Sequence, residues 1–183
     1  CLHPSFATLK ELLQAADQLG RRGELRRKIW SLSTAPLDLL PESLLLFMWT
    51  DLDGLCDDSL SSERSGMTRL AHQVVLVVSD RLGIEEHLDG LNLRALRARG
   101  YRIGLDQLGD GYAGLNSLAW LEPEFLELDP YLVRNIADHP ERQTVLRALV
   151  TLAREFSAEI VAEGVSDERD QNAVLGEGGA AFV

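Results

Sequence analysis

A chain of 183 residues, 45% hydrophobic and 26% charged, can bury a sizeable core and reads as one globular domain over residues 1–183. Its 18 basic and 29 acidic residues leave a formal net charge of −11, so DNA, RNA and anionic membranes are not expected partners. No apolar run approaches the roughly 20 residues that span a bilayer, and Cys1 and Cys56 make neither a disulfide framework nor a metal-ligand pattern, which points to a reducing cytoplasm.

Cys1 in place of an initiator methionine suggests a piece of a longer chain. Leu9, Leu12, Leu13, Ala16 and Leu19 recur at helical spacing with Gly20 as a stop, and Leu25, Ile29 and Leu32 carry the pattern into a second helix closed by Pro36 and Pro41. Leu44 to Trp49 is an unbroken apolar run suited to a strand covered on both faces. Asp51 to Ser65, acidic and serine-rich, reads as an exposed loop or short helix. Val74 to Val78, Tyr101 to Leu105, Phe125 to Leu128 and Glu159 to Ala162 supply four more strands. Helical patterns lie between them at Ile84 to Arg99 and at Arg142 to Phe156, the latter with Val145, Leu149, Leu152 and Phe156 as its apolar stripe. Strands and helices alternating at this spacing imply parallel strands joined by crossovers.

Three motifs follow one another along the chain. They are Gly104-Leu-Asp-Gln-Leu-Gly-Asp-Gly-Tyr-Ala-Gly-Leu115, Leu121-Glu-Pro-Glu-Phe-Leu-Glu-Leu-Asp129 and Ile160-Val-Ala-Glu-Gly-Val-Ser166. In content and order they resemble the EAL-domain family of cyclic di-GMP phosphodiesterases. The resemblance implies a TIM-like (β/α)8 barrel of the EAL type, with the first strand and the C-terminal end of the barrel lying outside the sequence. It further implies hydrolysis of cyclic di-GMP with magnesium or manganese, and frequent dimerisation.

Carried over residue by residue, the resemblance also implies a damaged site. The family's metal-ligating asparagine falls at Trp49, whose indole donates one hydrogen bond and offers no oxygen. A glutamate falls at Val77, although Asp80 keeps an acid at the end of that segment. Asp106 retains the first of two adjacent aspartates, while Gln107 replaces the second with a neutral amide. Glu127 stands where a lysine would position the attacking water, which reverses a charge beside the phosphate site. Glu163 matches a family ligand, and Ser166 replaces a further glutamate.

Simpler roles compete for the same residues. Asp106 could cap the turn that follows it, Glu163 could pair with a base, and Trp49 could fill the core or a pocket. Gly109, Gly111 and Gly114 suit sharp turns better than a phosphate cradle, with a positive φ expected at Gly111. Arg94, Arg97, Arg99 and Arg102 read as a solvated helix face. His3, His72, His87 and His139 show no metal-ligand spacing.

Two-metal hydrolysis of a phosphodiester needs several converging oxygen ligands, and at least four positions here depart from that requirement. The sequence therefore predicts a catalytically inactive EAL-like domain, a pseudoenzyme with no metal and no cofactor, acting as a regulatory or protein-interaction module. The expected partner is a protein or a second copy. A cyclic di-GMP receptor that does not cleave its ligand ranks second, and a working phosphodiesterase last. The vestigial pocket is expected at Trp49, Val77, Asp106, Gln107, Glu127 and Glu163.

Overall fold

The computed structural model describes residues 8–62, 65–79, 92–108, 114–165 and 167–177. Expectations placed on Asp80, Gly109, Gly111, Ser166 and residues 84–91 lie outside them. Five parallel strands form one sheet in chain order: β1 (Leu46–Thr50), β2 (Val74–Ser79), β3 (Arg102–Leu108), β4 (Phe125–Leu128) and β5 (Glu159–Ala162). Among the described residues β1 and β5 have one strand neighbour each. The sheet is therefore the parallel α/β arrangement of a partial barrel, with five strands rather than eight.

Helices α1 (Leu9–Gln18) and α2 (Arg22–Thr34) precede the sheet, and short α3 (Leu52–Leu55) and α4 (Gly66–Arg69) join β1 to β2. Next come α5 (Leu93–Ala98), α6 (Gly114–Leu121), α7 (Pro130–Val133), α8 (Pro140–Glu155) and α9 (Glu168–Gly176). Successive residues of a strand point to opposite faces, which divides the core in two. The outer face carries Met48, Leu76, Val78, Ile103, Leu105, Leu126, Leu128, Ile160 and Ala162 against the helices, in one large buried cluster. The inner face holds a smaller cluster of Val75, Val77, Phe125 and Val161, flanked by Leu45 and Phe47. Phe47 meets Phe125 edge-on with ring centroids 5.2 Å apart. Gly104 keeps this face close-packed, since a Cβ there would stand 3.2 Å from Val77 Cγ2 and 3.3 Å from Val75 Cγ1.

Several expected faces are rotated. On α8 Leu146, Val150 and Ala153 are buried, the expected Leu149, Leu152 and Phe156 pack half-buried against the same core, and Val145 is 46% exposed. Packing against β5 and the turn at Ile136–Asp138 thus favours Leu146 over Val145 at the start of the stripe. On α2 Trp30 and Thr34 are the buried residues, and Leu32 points outward. The segment expected as an exposed loop or short helix contains the short helix α3 and buries Leu52, Leu55 and Leu60. Its acids fix it in place. Asp51 caps α3 through Gly54 N and accepts from Arg22 Nε and Arg26 at 2.8 Å each, while Asp57 accepts from Arg27 at 2.9 Å. Arg26 also lies over the Trp30 ring. The arginines expected on a solvated face are clamps as well. Arg97 binds Glu124 at 2.6 Å and the carbonyls of Leu121 and Glu122, and Arg102 donates to His72 O.

One buried carboxylate ties the C-terminal half together. Asp170 on α9 is 1% exposed and accepts from Asn135 N at 2.9 Å and Ala137 N at 3.0 Å, which positions the turn between α7 and α8. Asn135 itself has φ 55°, a left-handed conformation held by this contact. Replacing Asp170→Ala is expected to lower the unfolding free energy by about 2–3 kcal/mol, since two amide donors lose an ionised acceptor. Urea denaturation measures the loss, and an unchanged midpoint would show that the turn holds without it.

Candidate functional site

The alternation that builds the inner face also gathers the candidate residues. Phe47 and Trp49 share a face of β1, Val75 and Val77 of β2, Phe125 and Glu127 of β4, and pairing aligns Trp49 with Val77 and Ser79 with Asp106. Asp106 follows Leu105, which belongs to the outer cluster, so it lies on the inner face. Glu163 follows the last residue of β5, Ala162, and Glu127 pairs with Val161 on the neighbouring strand. Trp49, Val77, Asp106, Glu127 and Glu163 thus occupy the C-terminal ends of five adjacent strands, on one face.

Gln107 is displaced from this row. Leu105 pairs with Leu126 and Leu108 with Leu128, so three steps along β3 match two along β4. The extra residue is a bulge at Gln107, whose φ of 60° is left-handed. Its side-chain Oε1 is buried without a hydrogen-bond partner. Bulges recur where a strand end must re-aim a side chain, and they show no mark in a run such as Leu-Asp-Gln-Leu.

Glu127 is the electrostatic centre of the site. It is 1% exposed, and its Oε2 has no hydrogen-bond partner. Burial, followed by the charges of Asp106 and Glu163, pushes its carboxyl up to about 8. The Trp49 side chain hydrogen-bonds to it and opposes the rise, whereas the bond with Asp106 favours the protonated form. At neutral pH Glu127 is therefore mostly a neutral acid, hydrogen-bonded to Asp106. The expectation of a fixed negative charge at this position changes accordingly, since desolvation among like charges keeps the proton on.

Of the core and pocket roles expected for Trp49, the pocket is the one observed. Trp49 is 55% exposed and lines a 450 Å³ cavity with Phe47, Trp30, Ile29, Arg22 and Arg26. Leu13 of α1 completes the wall that α2 forms across from β1. Sequence reasoning missed this cavity because its walls come from residues far apart in the chain, and no spacing links Arg22 to Trp49.

The shift of Glu127 gives stability a direction with pH. Between the ordinary carboxylate range and about pH 8 the folded chain holds a proton that the unfolded chain has released, so stability present at low pH is lost as pH rises through this window. Glu127→Gln keeps the shape and removes the titration. We expect it to melt at a higher temperature than the parent at pH 8, by roughly 3–4 kcal/mol of stability, and nearly equally at pH 4.5. Equal melting temperatures at both values would show that the carboxyl titrates normally.

Residues 8–180 match the family described as EAL domain. The chain is 36% identical over 110 residues to the probable cyclic di-GMP phosphodiesterase PdeG of Escherichia coli, an alignment covering 59% of this chain and 22% of that protein. It spans about a fifth of that relative's length, and less of several others. The solved EAL domain of Mycobacterium smegmatis DcpA superposes with a TM-score of 0.75 at 24% identity, over 87% of this chain and 76% of that one. BlrP1 of Klebsiella pneumoniae, solved as a manganese and cyclic di-GMP complex, gives 0.68 at 22% identity over 86% and 42%. That complex corrects the expectation of no cofactor, because BlrP1, a protein of this fold, was solved with manganese. The described residues do not by themselves fit such an ion. Trp49 and Val77 offer no oxygen, and among the described residues no three carboxylate, imidazole or thiol side chains form a metal-holding group. The matched length and the shared parallel architecture place the chain in the EAL-domain family.

Proposed function

We propose that this chain is a catalytically inactive EAL domain that works as a regulatory, protein-interacting module in cyclic di-GMP signalling, self-association included. One observation carries the reading. Glu127, a buried acid that keeps its proton, occupies the strand end where the family resemblance implies a lysine beside the attacking water. A lysine there would bring a positive charge toward a phosphate, whereas Glu127 brings a neutral or negative group into contact with Asp106. Trp49 and Val77 on the two preceding strands deepen the change, since neither can hold a cation or polarise a phosphoryl oxygen. Losing a single group that stabilises developing charge typically costs a hundredfold or more, and such losses compound at one site.

A second reading keeps the dinucleotide as a ligand. The exposed Trp49 indole and the arginines Arg22 and Arg26 line one cavity, a combination suited to stacking a base near a phosphate. Against it, Arg22 and Arg26 are already bonded to Asp51, and a dianion entering there must compete with that carboxylate.

Incubating the chain with cyclic di-GMP and manganese, followed by chromatography of the nucleotides, tests the proposal. The expected result is no linear product above a protein-free control, for the parent and for Gln107→Asp alike, because one restored carboxylate leaves Trp49, Val77 and Glu127 in place. Linear product from the parent chain would falsify the inactive reading. Intact dinucleotide retained by the chain in equilibrium dialysis of the same mixture favours the receptor over the interaction module.

A further inference from the structure

We infer that the outer groove between α1 and α2 receives an acidic amphipathic helix of a protein partner. The inference rests on the reading of the chain as a protein-interacting module, and it names the surface and the kind of segment that surface holds. Leu12, Ala15 and Leu19 recur at helical spacing along α1, and Leu25, Lys28 and Leu32 do the same along α2. Neither stripe is spent on the core. Leu19 is 72% exposed and Leu32 62%, while α2 meets the core through Trp30 and Thr34 on another face. Leu12, Ala15, Leu19, Leu25 and Lys28 instead line one 430 Å³ cavity, with the buried Ala16 at its base.

The hairpin shapes this groove before any partner arrives. Gly20 has φ 65°, and the amides of Gly20 and Arg21 donate back to Asp17 O at 3.0 Å and Ala16 O at 2.8 Å, which ends α1 and fixes the turn into α2. Arg22 then ties that turn down, bonding Asp17 at 2.6 Å and Asp51 at 2.8 Å. Helices α1 and α2 have 10 and 13 residues, so the groove runs for roughly 15–20 Å, about three turns of a helix. Its walls are side chains whose backbones are already bonded within helices, so an extended segment laid there finds no edge to pair with. A helix brings its own hydrogen bonds and has only to set apolar side chains among Ala15, Leu19 and Leu25.

Charge selects the flanks of that helix. Residues 8–34 carry six basic and three acidic side chains, whereas the whole chain has a net charge of −11. Arg22, Arg26 and Arg27 are answered by Asp17, Asp51 and Asp57, and Arg21 by Glu24. Lys28, on the groove's rim, has no ion pair among the described residues. The Arg21–Glu24 pair is exposed on both sides and opens at little cost. An acidic segment is therefore drawn to this end of the molecule and repelled by the remainder, while a second copy sets one basic rim against another.

The test follows the fluorescence anisotropy of a labelled helical peptide titrated with the 183-residue chain. The peptide has about 15 residues, with leucines at helical spacing and glutamates on the flanks. Two controls carry lysine flanks, or alanines in place of the leucines. Expected are saturable binding of the acidic leucine peptide and at least tenfold weaker binding of both controls. Leu19→Asp is expected to weaken binding at least tenfold and Lys28→Glu severalfold, each with the parent's melting curve, since both side chains stand in solvent. No saturable binding, equal affinity for acidic and basic peptides, or undiminished binding by Leu19→Asp overturns the inference. So does self-association of the parent chain, read by sedimentation, that Leu19→Asp abolishes and the peptide does not displace, because a second copy then occupies the groove. Absent peptide binding without nucleotide hydrolysis removes only this docking site, whereas hydrolysis by the parent chain removes the inactive reading beneath it.

Discussion

Burial of the Glu127 carboxyl between Asp106 and Glu163 is the constraint around which the C-terminal end of the sheet is organised. Parallel strands leave no choice about it. Once Phe125 is committed to the inner face against Phe47, Glu127 two residues later must follow, and its neighbours in the row are set by register. A carboxyl in that position either keeps its proton or finds a cation. The first alternative accords with the bond to Asp106.

Such a site costs stability, and the remainder of the fold offsets it. The outer face carries most of the core, with Leu76, Val78, Ile103, Leu105, Leu126 and Leu128 all buried beneath helices. Arg26, Asp51 and Asp57 lock α2 to the connection after β1, and Asp170 locks α9 to the turn before α8. In each, the charge is met by a matched partner or by backbone donors. Glu127 is the contrast, because its nearest charged neighbours share its sign.

Much of this was legible in the residues. Unbroken apolar runs at Leu44–Trp49 and Val74–Val78 specified parallel strands, and the Gly-Leu-Asp, Leu-Glu-Leu-Asp and Val-Ala-Glu-Gly motifs pointed to the family they belong to. The row from Trp49 to Glu163 was legible too, because strand alternation projects onto sequence directly. What was hidden depends on distances between elements. Leu146 and Val145 have equal claims to a helical stripe until β5 arrives to choose, and the acids after β1 look solvent-facing until arginines from α2 reach them. The bulge at Gln107 needs the pairing of two strands to exist at all. The protonation of Glu127 needs two neighbours brought from β3 and from the end of β5. The expectation that no cofactor accompanies the domain failed for another reason: it rested on side chains at single positions of this chain, and a solved relative of the same fold, BlrP1, holds manganese.

In this EAL domain a buried, proton-holding acid stands on the inner face at the end of β4, where the family resemblance implies a lysine. The carboxyl carbon of Glu127, labelled with carbon-13 and followed by NMR across pH, reports on that most directly. The account predicts a midpoint of about 8. A single midpoint in the ordinary carboxylate range, near 4.3, would contradict it.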